Sequence, residues 1–317
     1  MIAPGEHGSG SGQPGDEASG SGRFAGSGFD RPLLFTIPDR HARGRVVRLG
    51  HVLDTILSAH DYPPAIKHLL AEALVVTALL GTLVKDGQGQ LTIQAQTRDG
   101  IVELLVCDYR AGELRGYVRH DLARLATLGA NPSLAALFGN GYLAVTFDLA
   151  TTGERYQGIV PLEGSSLAQA CELYFRQSEQ VPTLIRVAVR STAQGCVAGG
   201  LLIQHLAEGE EGRQRLHVRL DHPEWEHVSA LAASVRHDEL LDPALAMDAI
   251  VWRLFHDERE IRVTQGSGLV RGCRCTAEHF GDVIARFPAE DRAEMRNETG
   301  AIVVDCEFCS RSFVVPG

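Results

Sequence analysis

Two close cysteine pairs near the C-terminus constrain this chain more than any other feature: Cys273-Arg274-Cys275 and, 31 residues after Cys275, Cys306-Glu307-Phe308-Cys309. Four of the seven cysteines therefore fall within 37 residues. In a reducing compartment this spacing lets four thiolates surround one tetrahedral zinc ion, with a Cys-x-x-Cys turn bringing two sulfurs to about 2.3 Å from a common centre. Four unrelated buried thiols are a poorer account, because Arg274 and Glu307 are charged and the second pair lies between two strand-like runs, Ile302 to Val304 and Ser312 to Val315. A thioredoxin-type motif is weaker too, since it needs its Cys-x-x-Cys to open a helix. The first pair, with a single intervening residue, is tighter than the usual zinc-ribbon pair. His279 could replace a thiolate, but Cys273, Cys275, Cys306 and Cys309 complete a tetrahedral set without it and are the expected ligands of one Zn2+ per chain.

Charge separates this end from the rest. The 317 residues carry 30 basic and 40 acidic side chains, a net charge of −10, and the excess lies in residues 221 to 317, with 10 basic and 18 acidic. Such a balance removes the electrostatic attraction on which nucleic-acid binding rests. The most apolar stretch, Leu69 to Val84, contains Glu72 and ends at Lys85-Asp86, which suits a buried core helix better than a membrane span. No nucleic-acid and no membrane partner is expected. Met1 to Gly28 holds nine Gly and five Ser without an apolar run, so it reads as a disordered tail rather than a secretory signal. The expected location is the cytoplasm, where thiols stay reduced.

Periodicity divides the remainder. Val46, Leu49, Val52, Leu53, Ile56 and Leu57 have helical spacing and predict a helix over Arg45 to His60, broken by Asp61-Tyr62-Pro63-Pro64. A second helix starts with proline in its first turn, runs to about Val84 and is apolar on nearly all sides. Leu91, Ile93 and Ala95 then alternate with polar residues, and turns separate this strand from Ile101 to Cys107 and Leu114 to Val118. A strand pair, Tyr142 to Asp148 and Arg155 to Pro161, precedes a helix capped by Ser165 or Ser166 that reaches about Gln180. Strands near Leu184 to Arg190 and Leu201 to Leu206 follow.

The predicted fold class is α+β: an antiparallel-sheet core domain with packed helices over residues 30–207, after a Gly/Ser-rich tail, residues 1–29. Glu208 to Arg215 is a charged break. Residues 208–268 form a helical linker, with amphipathic helices over Trp225 to Val235 and from Asp242-Pro243 to Phe255, and residues 269–317 a small zinc-binding domain. Val228, Leu231, Ala232 and Val235 make one apolar linker face; Leu245, Ala249, Ile250, Trp252, Leu254 and Phe255 make another. Cys107, Cys171 and Cys196, assigned to a strand, a helix and a loop, read as inert buried thiols. Glu154 and Glu163 read as solvated surface. No nucleophile elbow, phosphate loop or zinc-protease helix is present, so no catalytic residue is expected.

The cysteine pairs at this separation resemble the zinc module of the bacterial 33 kDa chaperonin family, a redox-regulated heat-shock holdase. His60-Asp61-Tyr62-Pro63, Leu70-Ala71-Glu72, Gly139-Asn140-Gly141-Tyr142 and Gly153-Glu154-Arg155-Tyr156-Gln157-Gly158 carry the same resemblance. Ser178 to Thr183, Ala198-Gly199-Gly200, Glu239-Leu240-Leu241 and Trp252 to His256 extend it over about residues 31 to 315. The resemblance implies an ATP-independent chaperone, not an enzyme. Its reduced, zinc-bound form is inactive; oxidation pairs the cysteines, releases zinc and unfolds the module with its linker. The exposed surface then binds unfolding proteins, the active form being a homodimer. Cys273 with Cys275 and Cys306 with Cys309 are the expected disulfides, since closing a short loop costs less chain entropy than bridging the two pairs. A zinc-ribbon adaptor and a thiol oxidoreductase are the alternatives.

Overall fold

The computed structural model describes residues 28–84, 89–150, 152–192, 195–206 and 222–315. The chain begins with β1 (Leu33–Ile37) and β2 (Ala42–Leu49), passes through α1 (His51–Leu57) and α2 (Pro64–Gly81), and lays down the meander β3 (Gln90–Gln96), β4 (Val102–Arg110) and β5 (Glu113–His120). Short helices α3 (Leu122–Leu125) and α4 (Leu134–Phe138) precede the hairpin of β6 (Tyr142–Asp148) and β7 (Arg155–Pro161). Next come α5 (Leu167–Tyr174) and the long hairpin of β8 (Thr183–Thr192) and β9 (Gly195–His205). Three helices follow, α6 (Pro223–Ala233), α7 (His237–Leu241) and α8 (Met247–Phe255), then β10 (Arg262–Gln265) and β11 (Val270–Arg271). The end is α9 (Ala277–Ile284), α10 (Ala289–Glu294), β12 (Ile302–Asp305) and β13 (Ser312–Val315).

Two sheets enclose α2. One has the order β10-β1-β2-β9-β8, the other β11-β5-β4-β3-β6-β7, and every pairing in them is antiparallel except β11 with β5. The α+β class is the one expected. Pro63 and Pro64 open α2, where a missing N–H costs nothing, and the helix is buried on nearly every side from Leu69 to Gly81. Length and composition would let α2 cross a membrane; here both sheets cover it. Glu72, half-buried on this helix, accepts a hydrogen bond from the Ala168 amide at 3.1 Å, at the first turn of α5. Burial pushes its carboxyl up.

The meander and the β6–β7 hairpin follow their predicted pattern, and β3 alternates buried and half-buried residues along its length. The predicted helix over Arg45 to His60 is wrong. Its first half is β2, central in its sheet, where Val46 pairs with Leu33 on one side and Leu201 on the other; only His51–Leu57 is helical. Apolar positions spaced by three and four arise there because a strand buried on both faces joins an amphipathic helix across Gly50. Capped by Ser166, α5 ends at Tyr174 and continues as a π-turn to Glu179, closed by Gln180 in the left-handed region. Cys196 lies on β9, not a loop, and burial pushes the Cys107 and Cys171 thiols up. The break at Glu208 to Arg215 lies outside the described residues.

Helices α6, α7 and α8 cover the face of the first sheet that points away from α2. Val228, Ala232, Val235, Ile250, Leu254 and Phe255 are buried there against Phe35, Ile37, Leu201 and Ile203, with the Phe35 and Phe255 rings 5.5 Å apart. Two residues expected on this face point the other way: Ala249 is exposed and Trp252 is 64% exposed. At 100° per residue the buried stripe of α8 runs through Met247, Ile250, Val251, Leu254 and Phe255, so 249 and 252 fall on its back. Asp242-Pro243 does not start a helix either. The Asp242 carboxylate accepts from the Ala244 amide in a turn, and α7 precedes it.

Polar groups seal this contact. Arg48 on β2 is 1% exposed, and its guanidinium donates to three carbonyls of the covering segment: Leu240 at 2.9 Å, Glu239 at 3.1 Å and Leu245 at 3.1 Å. Arg40 pairs with Glu224 and Glu258, and Arg253 with Glu239. A side chain at Gly199 would meet the Leu240 carbonyl at 2.4 Å, so glycine there lets α7 approach β9.

Candidate metal centre

The two cysteine pairs arrive on different supports. Cys273 and Cys275 lie in the loop between β11 and α9; Cys306 and Cys309 lie in the turn joining β12 to β13. That turn is tight because the Cys306 carbonyl accepts from the amides of Cys309 (3.2 Å) and Ser310 (2.8 Å), while the Cys306 amide donates to the Arg311 carbonyl. Thr276 caps α9 by accepting from the His279 amide at 3.0 Å.

These supports bring the four sulfurs within 4.8 Å of one another. Sγ separations are 3.1 Å for Cys273 and Cys275, 3.6 Å for Cys273 and Cys306, and 3.4 Å for Cys275 and Cys309. A tetrahedron with four sulfurs about 2.3 Å from its centre has edges of about 3.8 Å, so the cluster is close to the size that Zn2+ requires. All four are free thiols, three buried and Cys273 half-buried. His279 is exposed and stands outside this set. Burial and the neighbouring Cys275 sulfur push the Cys273 thiol up to about 12. Burial also opposes ionisation of Cys309, but the Arg311 amide and guanidinium outweigh it and pull this thiol down to about 6. The Arg311 guanidinium donates to Cys275 Sγ at 3.3 Å, a favourable partner for a thiolate-rich centre. Sequence reasoning missed Arg311, whose position two residues past Cys309 was the available signal.

The module has a small apolar core of its own, Ile284, Ile302 and Val315, with Phe280 and Val304 against it. Its firmest contacts lead to β5. Val270 and Arg271 pair in parallel with Glu113 and Leu114, and the Gly272 amide, beside Cys273, donates to the Leu114 carbonyl at 2.9 Å. From the second pair, the Phe308 ring packs between Arg115, whose guanidinium carbon is 4.0 Å from its centroid, and the Tyr117 ring at 4.9 Å. His60 Nε2 lies 2.8 Å from the Glu307 carbonyl and donates to it, while Nδ1 accepts from the Ser310 hydroxyl at 3.0 Å. His60-Asp61-Tyr62-Pro63 thus sits at this seam, and the Tyr62 hydroxyl accepts from the Val118 amide at 3.0 Å. Arg274, between the first two cysteines, donates to Gln90 on β3.

Comparison with known proteins agrees with this architecture. A crystal structure of the 33 kDa chaperonin (heat shock protein 33 homolog) of Thermotoga maritima superposes with a TM-score of 0.74 over 90% of this chain and 94% of that one, at 21% identity, which speaks for the fold. The 33 kDa chaperonin of Caulobacter vibrioides (strain NA1000 / CB15N) is 41% identical over 287 residues, covering 88% of this chain and 92% of that protein. The 33 kDa chaperonin of Yersinia pestis (strain Pestoides F) is 32% identical over 289 residues, covering 91% and 92%. The family model described as Hsp33 protein matches residues 30–316, so the chain, cysteine cluster included, belongs to the Hsp33 family of heat-shock chaperones.

Proposed function

We propose that the chain is a redox-switched, ATP-independent holdase, inactive when reduced and able to hold unfolding proteins once oxidised. The observation that carries this reading is the four-sulfur cluster set in a module with little core of its own and bonded directly to the chaperone core. A Zn2+ ion bound by Cys273, Cys275, Cys306 and Cys309 would supply folding energy, about 10–16 kcal/mol in small zinc modules. Three buried aliphatic side chains, at up to about 1.5–3 kcal/mol each, supply less.

The step the cysteines perform is thiol oxidation. In each pair, Cys273 with Cys275 and Cys306 with Cys309, two thiols lose two electrons and two protons to one peroxide molecule, which leaves as two waters. Sulfurs joined in two disulfides no longer form a tetrahedral ligand set, and the module loses that source of stability. Unfolding then propagates to α6, α7 and α8, whose apolar faces and the sheet beneath them become available to non-native chains. An acidic segment keeps such a surface soluble. The partners are unfolded client proteins, the oxidised form is a homodimer, and the chain works in the cytoplasm without catalysing a reaction.

Light scattering of a thermally unfolding client tests this reading. Peroxide-treated, zinc-released protein should suppress aggregation stoichiometrically and the reduced, zinc-loaded protein should not. Equal suppression by both forms would refute the redox switch, and turnover in an insulin-reduction assay would favour an oxidoreductase.

A further inference from the structure

Strand β5 makes the strand pairing that joins the metal module to the core, and without that module it would be the edge of its sheet. Among the described residues its neighbour on the outer side is β11, two residues long against the eight of β5. The main-chain groups of β5 that face outward are identified by their partners: the Gly112 carbonyl accepts from Val270 N at 3.0 Å, the Leu114 carbonyl accepts from Gly272 N, and the Val118 amide donates to Tyr62. The period of two along a strand places Gly116 on the same side. Phe308 packs on the adjoining face of the strand, against the Arg115 and Tyr117 side chains. Both β11 and Phe308 belong to the metal module: Gly272 adjoins Cys273, and Phe308 lies inside the Cys306–Cys309 turn.

We propose that the outer edge leading into and along β5, from Gly112 to Gly116, is a strand-docking site for extended segments of non-native client proteins, masked in the reduced state by β11. The proposal rests on the redox-holdase reading and says where on the core a client is held. Its occupant is argued from what sits there. An extended segment already pairs with this edge through main-chain hydrogen bonds, a mode of recognition indifferent to sequence and therefore suited to many clients. The present occupant fills only two positions, so a longer extended segment would make more of the same bonds. Departure of Phe308 leaves Arg115 and Tyr117 beside the edge, the side-chain types that anchor protein contacts. An uncovered edge is also the feature to which non-native chains add as strands. The oxidation already described, with peroxide as electron acceptor, is the only chemistry needed.

The test is amide hydrogen exchange of β5 in three states of the full chain: reduced and zinc-loaded, peroxide-oxidised, and oxidised in complex with carboxymethylated α-lactalbumin, a permanently unfolded client without free thiols. The Leu114 amide should exchange at least about tenfold faster after oxidation, and in the complex the amides of Leu114 and Gly116 should both exchange slowly. The β3 and β6 amides, inside the sheet, should stay protected throughout. Slow exchange at Leu114 after oxidation would overturn the proposal, because β11 would not have left. Fast exchange at both amides in a complex that nonetheless forms would also overturn it, leaving the holdase reading intact with the client elsewhere. Protection that returns in oxidised protein alone and rises with its concentration would assign the edge to a second copy of this chain instead. Failure of any complex to form would defeat the holdase reading, and this proposal with it.

Discussion

Replacing Arg48 by leucine should loosen the α6–α8 cover without touching a cysteine. The guanidinium is 1% exposed and donates three hydrogen bonds, all to carbonyls between Glu239 and Leu245. Hydrogen bonds from a charged donor contribute about 1.5–3 kcal/mol each, roughly 4–9 kcal/mol for the three. Burying the charge costs several kcal/mol, which the leucine variant no longer bears. Three carbonyls left without a donor at that interface keep the balance unfavourable, and a net loss of about 2–4 kcal/mol is expected. That is a factor of roughly 30 to 1000 in the population of the detached cover. Limited proteolysis of reduced, zinc-loaded protein should show faster cleavage between Glu224 and Arg262, with the β2–β9 core resistant, and client light scattering should show partial activity without oxidant. Cleavage at the wild-type rate would refute the reasoning, since Arg48 would then contribute nothing that leucine cannot.

Metal analysis of single variants should show zinc retention reduced in Cys306→Ser and unchanged in His279→Ala, whose ring stands outside the sulfur cluster. Peptide mapping after peroxide should find Cys273 joined to Cys275 and Cys306 to Cys309; a dominant Cys275–Cys306 bridge would count against the short-loop argument. Ile250→Glu, which buries an unpartnered carboxylate at a cost of several kcal/mol, should activate the reduced protein, as should a chain ending at Gly266, which lacks the metal module. Low pH should loosen the cover as well. Glu224 is held below the ordinary glutamate range by its Arg40 hydrogen bond; Glu258 is also held low, since Arg40 and His227 together outweigh its burial. Their contribution is therefore complete above the unfolded pKa, about 4.3, and fades as pH falls through the lowered folded value, which proteolysis across pH 3 to 6 should register.

Legibility in the sequence followed the range of the interactions. Where one residue's environment depends on its near neighbours, the chain announced its structure: the alternation of Leu91, Ile93 and Ala95, the proline start of α2, the Ser166 cap, the bounds of β6 and β7, and the two cysteine pairs. Where the partner is far away, local pattern misled or was silent. Val46 and Leu49 looked helical because their strand is buried on both faces, Val46 in the cluster with α6 and α8 and Leu49 in the cluster with α2, and its lateral partners Leu33 and Leu201 are more than 150 residues apart in sequence. Strand β10 reaches the edge of β1, and β11 that of β5, without any pattern that names the destination. Arg48 fell inside the predicted helix with nothing to mark it; only its three carbonyl partners make it a seal. Phe308 is an ordinary aromatic inside a metal turn until Arg115 and Tyr117 appear on either side.

The stretch that carries α6, α7 and α8 begins at β9 and ends at β10, and both strands belong to the same sheet. If β10 keeps its place beside β1 when the helices detach, they remain a closed loop tethered at both ends. Reattachment is then an intramolecular event whose effective concentration is set by the length of that loop and not by how much protein is present. Recovery of the resting state after reduction should accordingly follow first-order kinetics, with a half-time unchanged on dilution. Clients would compete against a latch that is always within reach, so the duration of holding would be governed by how soon the thiols are restored.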